Sequence, residues 1–100
     1  MNRNEIFTLI MVDTSEAAIM NIIIDRVKTL NNGDGFSFGR KTSATIVIKS
    51  DLSADTIVNK LLDGLNDRKV ELIVMKTKCE NLSCWINSYK ESVIRTTFNI

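Results

Sequence analysis

Asp13 is the residue best placed to do chemistry. It ends the apolar run "EIFTLIMVD" and is followed three residues later by Glu16. Carboxylate oxygens suit magnesium, which binds through one or two of them and keeps several waters. Glu16 could assist such an ion. A metal held there would polarise a phosphate and activate water. The spacing Asp13-Thr14-Ser15-Glu16 also has the form of a helix capping box, and this is the plainer reading. The chain has no histidine. That excludes Ser-His and Cys-His nucleophiles and a histidine base. Its two cysteines, Cys79 and Cys84, cannot supply a four-ligand structural zinc site within one chain. Magnesium is the cofactor the residues admit, and nothing in the sequence requires one.

A second set of residues could meet phosphate. Arg40 and Lys41 occupy the tip of an expected hairpin, and Lys49, Arg68 and Lys69 follow, with Lys76 and Lys78 beyond. Each phosphate contact made by such a residue would make binding sensitive to salt. The plainer reading is solvated surface charge, because these pairs are too short to count as basic runs. Phe36 and Phe38 alternate, so one strand face carries two rings. An exposed pair of rings could stack bases. Core packing under the helices is the stronger expectation, because the glycine-aromatic consensus of RNA-recognition domains is absent. Trp85 and Tyr89, one helical turn apart, could anchor an interface or pack within the monomer. Phe98, in the terminal stretch, joins them as an interface candidate. "NNGDG", Asn31 to Gly35, is rich in glycine but follows a helix, whereas phosphate-cradling loops run from strand to helix.

These residues need elements to position them. Glu5 to Asp13 reads as a strand buried on both faces. Ile19, Met20, Ile23, Ile24, Val27 and Leu30 recur at helical spacing, which predicts a helix over about 15–30. Phe36 to Phe38 and Ala44 to Ser50 read as two strands joined by the turn "GRKTS". Ser53 is an expected N-cap, and Leu52 can staple onto Ile57. Ile57, Val58, Leu61, Leu62 and Leu65 form the next apolar stripe, ending near Asn66. Gly64 falls inside this helix, at a cost of about 1 kcal/mol relative to alanine. Val70 to Lys76 is a fourth strand. Strand, helix, strand, strand, helix, strand is the split βαβ, ferredoxin-like arrangement of an α+β domain. Crossover rules then make the strands starting at Glu5 and Ala44 the central pair. The core spans 5–77. An extension over 78–100 carries a short helix through Leu82, Trp85, Ile86, Tyr89 and Val93, and then a strand, Val93 to Ile100. That strand could cover its own sheet edge or a partner's.

One hundred residues, 44% hydrophobic and 25% charged, fit a single globular domain. Thirteen basic residues nearly cancel twelve acidic ones, for a net charge of +1. This is not the strongly basic balance of a general nucleic-acid binder. No stretch reads as membrane-spanning or as a signal peptide. A cytoplasmic setting with free thiols is expected.

The stretch "MVDTS", after a first strand and before a helix, resembles the start of the second CRISPR-associated protein family, the small dimeric partner of the CRISPR integrase. "SATIVIKSDLSADTIVNKLLDGLNDRKVELIVMK" more closely resembles its SinR-like branch, and "SCWI" fits the tryptophan-containing segment found there. The similarity spans about 7–86. It implies a ferredoxin-like homodimer whose tail pairs across the interface, a nucleic-acid partner, and a role in antiviral defence. In some members the aspartate ending the first strand serves a metal-dependent endonuclease, and Asp13 holds that position; two copies of it across the implied dimer's two-fold axis could share one magnesium ion. Others hold duplex DNA without cutting it. Two departures weaken nuclease activity and phosphate binding here. Val12 stands where the family has tyrosine, and Glu16, Ala17 and Ala18 stand where it often has basic residues. The resulting expectation is a small nucleic-acid-associated homodimer with weak or no metal-dependent nuclease activity. The alternative is a protein–protein interaction module, such as a regulatory subunit or a phage-encoded inhibitor of a host defence system.

Overall fold

A computed structural model describes residues 5–33 and 35–82. The elements are β1 (Ile6–Thr14), α1 (Ala17–Leu30), β2 (Phe36–Gly39), β3 (Ser43–Ile48), α2 (Ala54–Leu62) and β4 (Val70–Lys78). Two single 3₁₀ turns, Asp67–Lys69 and Cys79–Asn81, flank β4. The four strands form one antiparallel sheet in the order β2-β3-β1-β4. The two expected central strands are central, and the architecture is the ferredoxin-like one. The expected C-terminal helix and strand fall outside the described residues.

Strand periodicity assigns the two sheet faces. Thr8, Ile10 and Val12 of β1 lie opposite Ile48, Ile46 and Ala44 of β3, and opposite Lys76, Val74 and Leu72 of β4. These residues point at the helices. Ile10, Val12, Ile46 and Ile48 form one core with Ile19, Met20, Ile23 and Val27 of α1 and Ile57 and Leu61 of α2. Fully burying one such aliphatic side chain contributes about 1.5–3 kcal/mol, so this layer holds the domain together. The α1 stripe expected from its spacing is the one buried.

The β3–α2 corner is built from polar contacts. Asn31, just after α1, accepts the backbone N–H of Lys49 through Oδ1 at 3.1 Å. Ser50 Oγ accepts the N–H of Leu52, and Ser53 Oγ caps α2 by accepting the N–H of Thr56 at 3.2 Å. Lys76 reaches across from β4. Its Nζ donates to Ser50 O at 2.6 Å, to Leu52 O at 2.9 Å and to Thr8 Oγ1 at 2.8 Å. Three acceptors satisfy the three donors of an ammonium group. Lys76 is thus a structural brace for the turn and is not free to meet a phosphate.

The far end of α2 has a similar brace. Arg26 of α1 donates from Nη1 to Leu61 O at 3.0 Å and to Asp63 O at 2.7 Å. A cation there satisfies carbonyls that the last helical turn leaves without partners and opposes the helix dipole. Gly64 is outside the helix, contrary to the sequence expectation. α2 ends at Leu62, and Gly64 sits at φ 72°. It is the left-handed residue that stops the helix, so it stabilises the stop and imposes no interior cost.

Candidate functional site

The sheet end at the C-terminus of β1 gathers most of the sequence-predicted site residues. Asp13 lies opposite Ser43 of β3 on one side and Glu71 of β4 on the other. The backbone N–H of Thr14 donates to Thr42 O at 2.7 Å, and that of Ser15 donates to Lys69 O at 3.0 Å. These two bonds bring the β2–β3 hairpin tip, with Arg40 and Lys41, and the 3₁₀ turn, with Arg68 and Lys69, to either side of Asp13. Two strand spacings, about 10 Å, separate the flanking strands. Gly39 opens the tip because a side chain there would collide with Ser43 O.

Asp13 is not a helix cap. β1 pairs on through Thr14 with Val70, and α1 begins only at Ala17, with Glu16 at the N-cap position. Thr14 Oγ1 donates to Glu16 O at 2.9 Å, and Glu16 makes no side-chain cap bond. Strand pairing on both sides therefore outweighs the local capping pattern. Asp13 is left exposed, facing away from the helices, with no hydrogen bond or ion pair to another described side chain.

The cations at this end differ in freedom. Lys69 Nζ is 2.9 Å from Glu16 Oε1. Arg40, Lys41 and Arg68 are exposed, and their side chains have no hydrogen bond or ion pair to other described residues. The four cations share the end with Asp13, Glu16, Asp67 and Glu71, so the local charge is balanced. Lys49 is elsewhere. It lies at the opposite end of the sheet, with Nζ 2.9 Å from Glu5 Oε1 and 5.5 Å from the centre of the Phe7 ring. Trp85, Tyr89 and Phe98 lie outside the described residues.

The sheet face without helices carries Phe7, Leu9, Met11 and Asp13 of β1 and Glu71, Ile73 and Met75 of β4. Phe36 and Phe38 are also on this face, not under the helices. They pack with Phe7, Val47, Leu9, Cys79 and Leu82 in a second, smaller cluster. Farther along, Met11 is 46% exposed, Ile73 61% and Met75 50%. A shallow concavity of about 430 Å³ opens there, bordered by Met11, Asp13, Phe38, Arg40, Glu71 and Ile73. Sequence reasoning missed Glu71 as the neighbour of Asp13, and missed this apolar face. The signal that could have found both is the alternation Glu71, Ile73, Met75, which is masked because Leu72 and Val74 are apolar too.

Asp13 and Glu71 are two carboxylates on one surface. That number is within what magnesium accepts when phosphate oxygens and waters complete its shell. Among the described residues, no group of three or more histidine, cysteine or acidic side chains could hold a metal ion without such help. Cys79 is half-buried and packs in the Phe7–Val47 cluster. No described helix is long and apolar enough to cross a membrane.

No family model, curated protein or solved structure matches the chain. The ferredoxin-like fold hosts many unrelated functions, so function must be argued from the site.

Proposed function

We propose that the protein is a nucleic-acid-associated homodimer of the SinR-like type that binds phosphate without robust catalysis. The observation that carries this reading is the convergence of Arg40, Lys41 and Arg68 on one end of the sheet, exposed and without partners among the described residues. A single chain offers a narrow, charge-balanced site, and doubling it across a dimer gives the extended contact a nucleic acid needs. The long outer edge of β4, nine residues with no described strand beyond it, supports a second copy as the element that covers it. Asp13 and Glu71 would hold a magnesium ion only together with a bound phosphate.

Binding is tested with single- and double-stranded DNA and RNA over a salt series. Three contacts per chain give a slope of log affinity against log salt of about −2 to −3 per chain. Arg40→Ala and Arg68→Ala each weaken binding to all sequences alike and reduce that slope by about one. No salt-dependent binding to any of the four nucleic acids overturns the reading. Sustained magnesium-dependent cleavage that Asp13→Asn abolishes would replace the binder with a nuclease. Light scattering of the full chain should give twice the chain mass.

A second reading, a protein–protein interaction module, is favoured by one observation: Met11, Ile73 and Met75 leave an apolar surface exposed among the described residues. A stoichiometric protein partner captured without nucleic acid supports it.

A further inference from the structure

The open sheet face is built in rows. Phe38, Thr45, Met11 and Ile73 stand side by side across all four strands. The next row, two residues along, holds Ser43, Asp13 and Glu71. Arg40 extends that row beyond Ser43, because its backbone N–H bonds Ser43 O at 2.6 Å. The concavity of about 430 Å³ lies over these two rows, a size that suits a small organic group. Its floor is apolar. Its polar rim is sorted by charge, with two carboxylates at one end and a guanidinium at the other.

Asp13 and Glu71 are directly opposed on neighbouring strands, where like charges repel. Neither has a hydrogen bond or ion pair to another described side chain. Ionised carboxylates only accept hydrogen bonds, so they suit a flat group that presents N–H donors. Arg40 suits an anion at the other end of the same ligand. From Arg40 to Asp13 is two strand spacings, about 10 Å, the span of a nucleotide from its phosphate to the Watson–Crick edge of its base. Guanine alone among the bases presents two adjacent donors on that edge, N1–H and the 2-amino group. Adenine and cytosine set one amino group beside a bare ring nitrogen, and uracil and thymine flank one N–H with two carbonyls. A carboxylate repels those acceptors.

We propose that the concavity binds an unpaired guanine of a single nucleic-acid strand. The base lies on Phe38, Met11 and Ile73, its N1–H and 2-amino group donate to Asp13 and Glu71, and its phosphate meets Arg40. Unpaired bases are commonly held in this way, by stacking and by their Watson–Crick edges. The inference rests on the phosphate-binding reading above and narrows its ligand. A guanine in a duplex has that edge occupied, so the site selects single strands. Lys41 and Arg68 take neighbouring phosphates, which a free nucleotide lacks. Recognition through the carboxylates requires no magnesium.

The test uses the full-length protein in EDTA and short labelled pyrimidine strands, RNA and DNA, each with one central guanine. Fluorescence anisotropy gives the affinities. Replacing the guanine with adenine should weaken binding about tenfold, within the discrimination of a bidentate contact. Hypoxanthine, which lacks the 2-amino group, should fall between them. Asp13→Asn and Glu71→Gln should each bring the guanine-to-adenine ratio towards one, whereas Arg40→Ala should weaken both strands by the same factor. On addition of the guanine strand, the methyl resonances of Met11 and Ile73 should move upfield beneath the base. Those of Ile22, exposed on α1, should not. Equal affinity for guanine and adenine strands, in both RNA and DNA, overturns the inference and leaves the phosphate-binding reading standing. So does a guanine preference that survives both carboxylate variants, or one accompanied by no shift at Met11 and Ile73. The absence of any salt-dependent binding overturns both.

Discussion

The two faces of the sheet are made from the same strands and have different fates. On β1, Ile10 and Val12 are 0% and 3% exposed, while Met11 between them is 46% exposed. All three are apolar, so side-chain chemistry does not set the difference. What sets it is the position of the helices. α1 and α2 both begin at strand ends and return over one face, and the crossovers leave the opposite face to whatever follows β4. The helix-covered face is locked by polar braces as well as by packing, through Lys76 at one end of α2 and Arg26 at the other. The open face has a sealed corner around Phe7 and Val47 and then runs out to Asp13 and Glu71. Stability is thus concentrated on one side of the sheet, and the candidate binding residues sit where the other side ends.

The sharpest test of this contrast uses neighbours on one strand. Ile10→Ala should cost about 2–5 kcal/mol, through lost transfer energy and the cavity left behind. Met11→Ala, one residue on, should cost about 1 kcal/mol or less, because half its surface already meets solvent. Urea unfolding of both variants measures the gap, and equal losses would show that the two faces are equally sealed. The next largest effect belongs to Lys76→Met. It keeps the aliphatic stem and removes the donor, leaving Ser50 O, Leu52 O and Thr8 Oγ1 short of a partner. A loss of about 1–3 kcal/mol is expected, with opening of the β3–α2 corner seen first in amide exchange at Leu52 and Thr56. Arg26→Met should cost about 1 kcal/mol by the same reasoning at an exposed helix end.

The sequence made the covered face legible and the open one obscure, for a physical reason. Ile19, Ile23 and Val27 repeat with the helical period against a polar background, and Ser53 carries the capping oxygen where a helix must start. Such signals are local. The side of the sheet on which Phe36 and Phe38 would lie is not local. It depends on the register of β2 against β3, which pairs Phe36 with Val47 and Phe38 with Thr45. Asp13 does not act as the cap its local spacing suggests because its next neighbour, Thr14, is held in the strand by Val70 and Thr42, residues far away in sequence. The gathering of Arg40, Lys41 and Arg68 around Asp13 is likewise a product of topology. No spacing in the chain announces it, and Lys49, equally basic, ends up at the other end of the sheet.

The smallest effects should come from exposed positions at the element ends. Gly64 adopts φ 72° with open space where a Cβ would stand, so Gly64→Ala meets no clash and costs only the left-handed backbone penalty, about 1 kcal/mol. Lys69 and Glu16 tie the turn before β4 to the start of α1, but their side chains are 42% and 51% exposed. An exposed pair contributes about 0–1 kcal/mol and is screened by salt. Lys69→Met should therefore lower stability by a few tenths of a kcal/mol in dilute buffer, and by less in 1 M salt, where the screening length is about 3 Å. Thermal melts at the two salt concentrations measure this. A loss above about 1 kcal/mol that persists in high salt would mean that the Asp13 end is held together by its charges. In that case Arg40, Lys41 and Arg68 would belong to the same structural network and would not be free to meet a ligand.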